Sequence, residues 1–281
     1  MLDPQLTLNC GGQLLTLNQP RVMGILNITP DSFYAGSRMA SVKEALNRAS
    51  EMLMAGADIL DIGGMSSRPG ADLISSKEEQ QRVIPVIKAI KDAHPDCIIS
   101  IDTVYAETAR TAVAAGAGLI NDISAGSIDP DLWEALPEFK VPYVLMHMRG
   151  TPKDMQKKLD YKNVVTEIWD HLAEKHIELT QSGVNDIIID PGFGFGKSVE
   201  QNYALLNNLH AFRTFNRPVL AGISRKSMIW RPLGISPATA LNGTTALHVI
   251  ALQQGASILR VHDVREAVDV VRLMELVDGQ N

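Results

Sequence analysis

The stretch IIIDPGFGFGKS (187–198) places an acid, alternating glycines, a lysine and a hydroxyl in one short run. A phosphate-cradling loop needs a glycine five positions before the glycine of its Gly-Lys-Ser end, so that consecutive backbone N–H groups wrap the anion. Pro191 stands there and has no N–H to give. The glycines at 192, 194 and 196 also miss the spacing of the dinucleotide fingerprint. Asp190 then becomes the chemical residue of the run, the glycines let the backbone turn sharply, and Lys197 is expected as a loop or rim charge.

Asp190 is one of a series. Asn27, Asp61 with Gly63 and Gly64, Asp102, Asn121 with Asp122, His147, Ser224 to Lys226, and Arg260 with His262 and Asp263 each close a short apolar run. Asp102, Asn121 and Asp190 supply carboxylates and an amide, a set able to read a heterocycle with ring N–H and amino donors; buried, such groups need partners that a ligand would supply. Arg68, Lys226, Arg260 and His262 supply positive charge and donors for an anion.

The elements that must position these residues repeat. AGADILDIGG (55–64), AGAGLINDIS (115–124), SGVNDIIIDPG (182–192) and QGASILRVHD (254–263) each close a helix-like stretch on a glycine, then run apolar, then turn polar. With RVMGILNI (21–28), CIISIDT (97–103), VPYVLMHM (141–148) and PVLAGIS (218–224) they make eight candidate strands, separated by segments with apolar residues at three- and four-residue spacing. Eight such units predict an α/β fold, a (β/α)8 TIM barrel from about 21 to 277, with a doubly wound sheet as the fallback. The barrel gathers its strand C-termini at one mouth, and SRKS (224–227) and RVHD (260–263) fall after strands seven and eight, where this fold often binds phosphate. Residues 1–20 alternate and turn on Gly11–Gly12, predicting a short β-hairpin against the barrel floor, and the whole chain reads as one domain, 1–281.

A formal net charge of −6 over 281 residues argues against a general nucleic-acid or anionic-membrane binder. The two cysteines, Cys10 and Cys97, lack ligand spacing and read as reduced, buried thiols. No apolar run approaches the roughly 20 residues needed to span a bilayer, and a cytosolic protein is expected. His94, His171, His176, His210 and His248, with Trp133, Trp169 and Trp230, read as packing or surface residues, and Lys157 as a solvated charge. His147 is open between structural hydrogen bonding and proximity to ligand.

The motifs MGILNITPDSF, GGMSSRPGAD, ISIDT, LINDIS, LMHMRGTP, DPGFGFGK, GISRKSMI and RVHDV, in this order from Arg21 to about Val271, resemble the motif series of the dihydropteroate synthase family. The resemblance implies a TIM barrel that joins 6-hydroxymethyl-7,8-dihydropterin pyrophosphate to 4-aminobenzoate by a dissociative substitution, in folate biosynthesis, as a target of sulfonamides. It implies Asp102, Asn121, Asp190 and Lys226 around the pterin, with Arg260 on its face. Asn27 would sit at Mg2+ and pyrophosphate, and Arg68 and His262 at the leaving diphosphate. Ser67, Phe33, Phe195, Lys226 and Ser227 would form the aminobenzoate site, and Met146 and Gly222 complete the substrate-binding set. The resemblance also implies a homodimer through late helices.

The chain departs from the common pattern at Ala35, which replaces a carboxylate, and at Met65 and Ser67, which replace Glu and Thr. Two alternatives follow: a pterin-dependent methyltransferase module, which would not need SSRPG and SRKS, and a catalytically idle pterin-binding paralogue.

Overall fold

The computed structural model describes residues 6–28, 38–66, 70–155, 159–277 and 279. An antiparallel hairpin, β1 (Thr7–Cys10) and β2 (Gln13–Thr16), turns on Gly11 and Gly12, both at positive φ. The predicted hairpin is thus present, within narrower bounds than 1–20. Eight parallel strands follow: β3 (Arg21–Asn27), β4 (Ile59–Gly63), β5 (Ile98–Asp102), β6 (Leu119–Asp122), β7 (Tyr143–Met146), β8 (Ile187–Asp190), β9 (Leu220–Ala221) and β10 (Ile258–Val261). Their order is β8-β7-β6-β5-β4-β3-β10-β9, and a parallel bridge between Ile189 and Val219 brings β8 back to the start of β9. The predicted barrel is therefore what forms, although its seventh strand is two residues long, far shorter than the run 218–224 suggests.

Helices α1 (Arg38–Met54), α2 (Ser76–Ala93), α3 (Ala106–Ala114), α4 (Pro130–Phe139), α5 (Val164–Ser182), α6 (Val199–Asn207), α7 (Ser227–Leu233), α8 (Leu241–Gln253) and α9 (Val264–Val277) lie between and after the strands. Local chemistry sets their ends. Ser75 caps α2 through the Glu78 N–H, Asn163 caps α5, and Gly183 ends α5 in the left-handed conformation that favours glycine. Ser198, the hydroxyl that completes the false phosphate loop, is spent on a capping box with Gln201 at the start of α6.

The strand pleat sorts the barrel into layers. Met23, Ile59, Ile98, Leu119, Val144, Ile188, Leu220 and Ile258, one from each strand, pack with Leu8, Cys10 and Leu15 of the hairpin, so the floor is plugged and apolar. The alternate positions, among them Leu60, Ile62, Ile99, Ile101, Leu145 and Ile189, pack outward against the helices through Ala45, Val83, Ile87 and Leu172. Truncating one such Ile or Leu to Ala costs about 2–5 kcal/mol. Two residues beyond each floor position stand Ile25, Asp61, Ser100, Asn121, Met146, Asp190, Gly222 and Arg260. The same inward face thus changes from hydrocarbon to polar as it nears the C-terminal mouth. Cys10 and Cys97 are both free and buried, as expected.

Candidate functional site

The centre of the mouth is an ion cluster drawn from four strands. Arg260 on β10 donates from Nε to Asp61 Oδ2 and from Nη2 to Asp102 Oδ2, both at 2.6 Å. Asn121 on β6 donates from Nδ2 to the same Asp61 oxygen at 3.0 Å, and Asp61 is fully buried. A guanidinium with several donors in a fixed plane can bridge two carboxylates in this way. Burial works against the charge on Arg260, yet Asp61 and Asp102 hold its pKa above the usual arginine range. Burial pushes the Asp102 carboxyl up, against the pull of Arg260. Asp61 Oδ1 and Ser100 Oγ are buried without a hydrogen-bond partner, so the cluster retains polar capacity.

The neighbouring wall is made by Asp190 and Lys226. Burial raises the Asp190 carboxyl, while Lys226, the Gly192 N–H and Lys197 draw it down. Its Oδ1 accepts from Gly192 N at 2.7 Å. Burial lowers the Lys226 ammonium to about 8, although Asp190 favours its charge. Lys226 donates to the Phe193 carbonyl and lies 4.6 Å from the centre of the Phe195 ring. Gly222 leaves room beneath both cations, since a Cβ there would stand 3.8 Å from Lys226 Nζ and 3.9 Å from Arg260 Cβ.

The rim carries the remaining donors. A Cβ on Gly63 would meet Asp102 Oδ2 at 3.5 Å and Asn27 Oδ1 at 3.6 Å, so the amide oxygen of Asn27 and the carboxylate of Asp102 flank the same glycine. His262 meets Ser224 Oγ through its ring Nδ1 at 3.0 Å, and burial, then Arg260, lowers its pKa to about 4. Phe195 and Met146 pack with Met65, Val104, Ile123 and Met155 in an apolar cluster beside the polar one. Met65 thus contributes hydrocarbon to the mouth.

The structure brings Asn27, Asp102, Asn121, Met146, Asp190, Phe195, Gly222, Lys226, Arg260 and His262 to one end of the barrel, with Ser227 beside Lys226 as the first residue of α7. Phe33, Ser67 and Arg68 lie outside the described residues, as do Ala35 and Lys157. Lys197 corrects its expected place on the rim: it is only 3% exposed, and its ammonium is held by backbone carbonyls and His147. His147 accordingly takes the structural option. Burial, then Lys197, lowers its pKa to about 2, and its ring packs edge-on to His171.

In the sequence Asp61 closes an apolar run without being marked for binding, yet the fold sets it at the centre of the cluster. The available signal was its two-residue step from Ile59, the step that also joins Ile188 to Asp190. Arg225 was likewise passed over. It sits at a φ of 54°, unusual for a residue with a side chain, and forms a fork with Asp263.

A closed barrel with an apolar floor, buried acids and an amide at the mouth, and cations beside them defines a small-molecule site for a polar heterocycle and an anion. Comparison gives that class its description, since residues 23–262 match the family of pterin binding enzymes. The dihydropteroate synthase of Escherichia coli K12 is 46% identical over 266 residues, 94% of each chain. The structure of Xanthomonas albilineans dihydropteroate synthase with 4-aminobenzoic acid superposes with a TM-score of 0.92 at 42% identity, covering 99% of this chain and 100% of that one. The complex of the Xanthomonas albilineans enzyme with 7,8-dihydropteroate gives 0.88 at 40% identity, covering 98% and 100%. The chain belongs to the pterin binding enzyme family, among its dihydropteroate synthases.

Proposed function

We infer that the protein is a transferase that condenses 6-hydroxymethyl-7,8-dihydropterin pyrophosphate with 4-aminobenzoate, giving 7,8-dihydropteroate and pyrophosphate. The observation that carries this reading is the convergence of Asp61, Asp102, Asn121, Asp190, Lys226 and Arg260 at one barrel mouth, in a chain so close to enzymes of that name.

The carbon–oxygen bond between the pterin methylene and the diphosphate breaks, the arylamine nitrogen forms the new bond to that carbon, and the amine gives up a proton. Asp102, Asn121 and Asp190 pair with the donor edge of the pterin, and Lys226 offers a donor to its acceptors. Arg260 lies flat against the ring system and, with His262, faces the departing diphosphate, the group that family resemblance also assigns to Arg68. Positive charge grows on the pterin as the diphosphate leaves, and the Asp190 carboxylate stabilises it more than it stabilises the ground state. Phe195 and Ser227 border the arylamine, the role that family resemblance also gives Phe33 and Ser67, and the apolar cluster around Met146 excludes water from it. Among the described residues no group of three or more His, Cys, Asp or Glu could hold a metal. The Asn27 amide oxygen beside Asp102 fits instead a hard cation such as Mg2+, which commonly needs one or two protein oxygens besides water and phosphate. Bound there, Mg2+ would neutralise diphosphate charge.

The same reading includes a homodimer and a cytoplasmic site of action. Leu233 at the end of α7 and Ile235 just after it, with Ile250 on α8, are exposed large apolar residues on neighbouring elements, which supports a second copy as their cover. Two buried free thiols, with no described helix long and apolar enough to cross a membrane, are compatible with a reducing compartment.

The deciding experiment incubates purified protein with the pterin pyrophosphate, 4-aminobenzoate and Mg2+, and follows dihydropteroate and pyrophosphate together. Equal amounts of both products are expected. No product above background at high protein concentration would sink the reading and favour the idle paralogue.

A further inference from the structure

Lys197 is a buried cation that the proposed chemistry does not use. Its Nζ donates to Gly192 O at 2.7 Å and Phe195 O at 2.9 Å, and it lies 3.2 Å from His147 Nδ1 and 3.4 Å from His147 O. An ammonium has three hydrogens, and these partners occupy them. Lys197 is therefore turned away from substrate and into the protein. Burial lowers its pKa well below the ordinary lysine value, an effect opposed by the nearby Asp190.

The partners show what it organises. Gly192, Gly194 and Gly196 all have positive φ, of 73°, 82° and 63°, and the turn they make wraps its carbonyls around the lysine head. That turn carries two groups that contact Lys226, the Phe193 carbonyl and the Phe195 ring. Asn202 on α6 provides a second hold, accepting from Gly194 N at 2.7 Å and donating to Lys197 O at 3.3 Å. Without a cation at its centre, the Gly192 carbonyl would keep only the Phe195 N–H at 3.2 Å and the Phe195 carbonyl would lose the lysine donor, so the two would separate to reach water.

We propose that Lys197 is a positioning residue for the second substrate: its ammonium fixes the Gly192–Gly196 turn so that Phe195 stands against Lys226 as the wall of the arylamine pocket. The proposal rests on the reading that Phe195 borders 4-aminobenzoate. It assigns Lys197 to affinity for the arylamine, with the pterin held by strand-borne side chains to which the Lys197 ammonium, bonded to Gly192, Phe195 and His147, is not hydrogen-bonded.

The test uses the full chain with Lys197→Met, which keeps the length of the stem and removes every donor. The KM for 4-aminobenzoate at saturating pterin pyrophosphate is expected to rise at least about tenfold. The Kd for pterin pyrophosphate with Mg2+, from calorimetry, is expected to stay within about threefold. An unchanged KM for 4-aminobenzoate, or a loss of pterin affinity as large as the rise in KM, overturns the proposal; the second result would mean that Lys197 acts through Asp190. Where Lys197→Met does not fold, Asn202→Ala releases the same turn at Gly194 and is expected to show the same split at about threefold or more. A folded Asn202→Ala protein with unchanged KM overturns the proposal in that case. A parent protein that forms no dihydropteroate overturns the proposed reaction and this assignment together, whereas an active parent with an indifferent Lys197→Met overturns the assignment alone.

Discussion

Asp263 accepts from Arg225 Nε at 2.8 Å and from Nη2 at 2.7 Å, a two-point fork between the loops that follow β9 and β10. The remaining nitrogen of Arg225 donates to the carbonyls of Pro237 and Ala238 at 2.9 and 2.6 Å. Ser224 and Lys226 flank Arg225, while His262 precedes Asp263, so one ion pair sets the spacing of the residues that face the anion. Both partners are mostly buried, with side-chain exposures of 23% and 18%. A lysine cannot reproduce a planar fork.

Arg225→Lys and Asp263→Asn are each expected to lower kcat/KM for the pterin pyrophosphate about tenfold and to reduce stability by about 1–2 kcal/mol. The double variant should cost little more than either single change. A double-mutant cycle on chemical unfolding and on kcat/KM measures this coupling, and strictly additive losses would show that the pair does not act as a unit.

Asp190→Asn removes the carboxylate that most favours the Lys226 charge and leaves two buried ammonium groups, Lys226 and Lys197, with less compensation. Pterin pyrophosphate affinity is expected to fall about a hundredfold, on the order of 3 kcal/mol. Calorimetry checks it, and a loss within about threefold would move the pterin elsewhere.

Lys226 gives the pH dependence its sign. Its pKa is lowered to about 8 by burial, so the charged donor is present below that value and lost as pH rises through it. The groups that face it are Asp190, Arg260 and Asp102. Because kcat/KM reports the free enzyme, its basic limb should bend near pH 8, and Lys226→Arg should move that limb out of range while lowering the plateau. An identical basic limb in Lys226→Arg would assign it to another group.

Gly192 and Gly183 both have positive φ, of 73° and 97°, but differ in their surroundings. A Cβ on Gly192 would collide with the His147 carbonyl oxygen, whereas nothing stands within 4 Å of one on Gly183. Gly183→Ala is expected to cost about 1 kcal/mol from backbone strain alone, and Gly192→Ala about 4 kcal/mol or more. Thermal unfolding should place the Gly192 variant on the order of 10 °C below the parent. Equal melting temperatures for the two variants would refute the close approach of the β7 and β8 loops.

Much of the architecture was legible in the chain itself. Glycine-closed helices followed by short apolar runs recur because each strand needs a stop before it and two buried faces, and both requirements are local. The residue types at the run ends, Asn27, Asp102, Asn121, Asp190, Lys226 and Arg260, likewise announced a heterocycle and an anion, because a core would not choose them. What the sequence could not decide was which of these groups meet. Arg260 reaches Asp61 and Asp102 across 199 and 158 positions, a contact set by barrel closure and strand stagger. Nor could it decide where Lys197 points. A lysine after alternating glycines looks solvated in one dimension, and it is buried because a turn through three positive-φ glycines brings the carbonyls of Gly192 and Phe195 onto its head, which only the folded loop creates. Periodicity and residue type follow from local chemistry, whereas partner choice among charged groups follows from distances that exist only once the eighth strand has closed the ring.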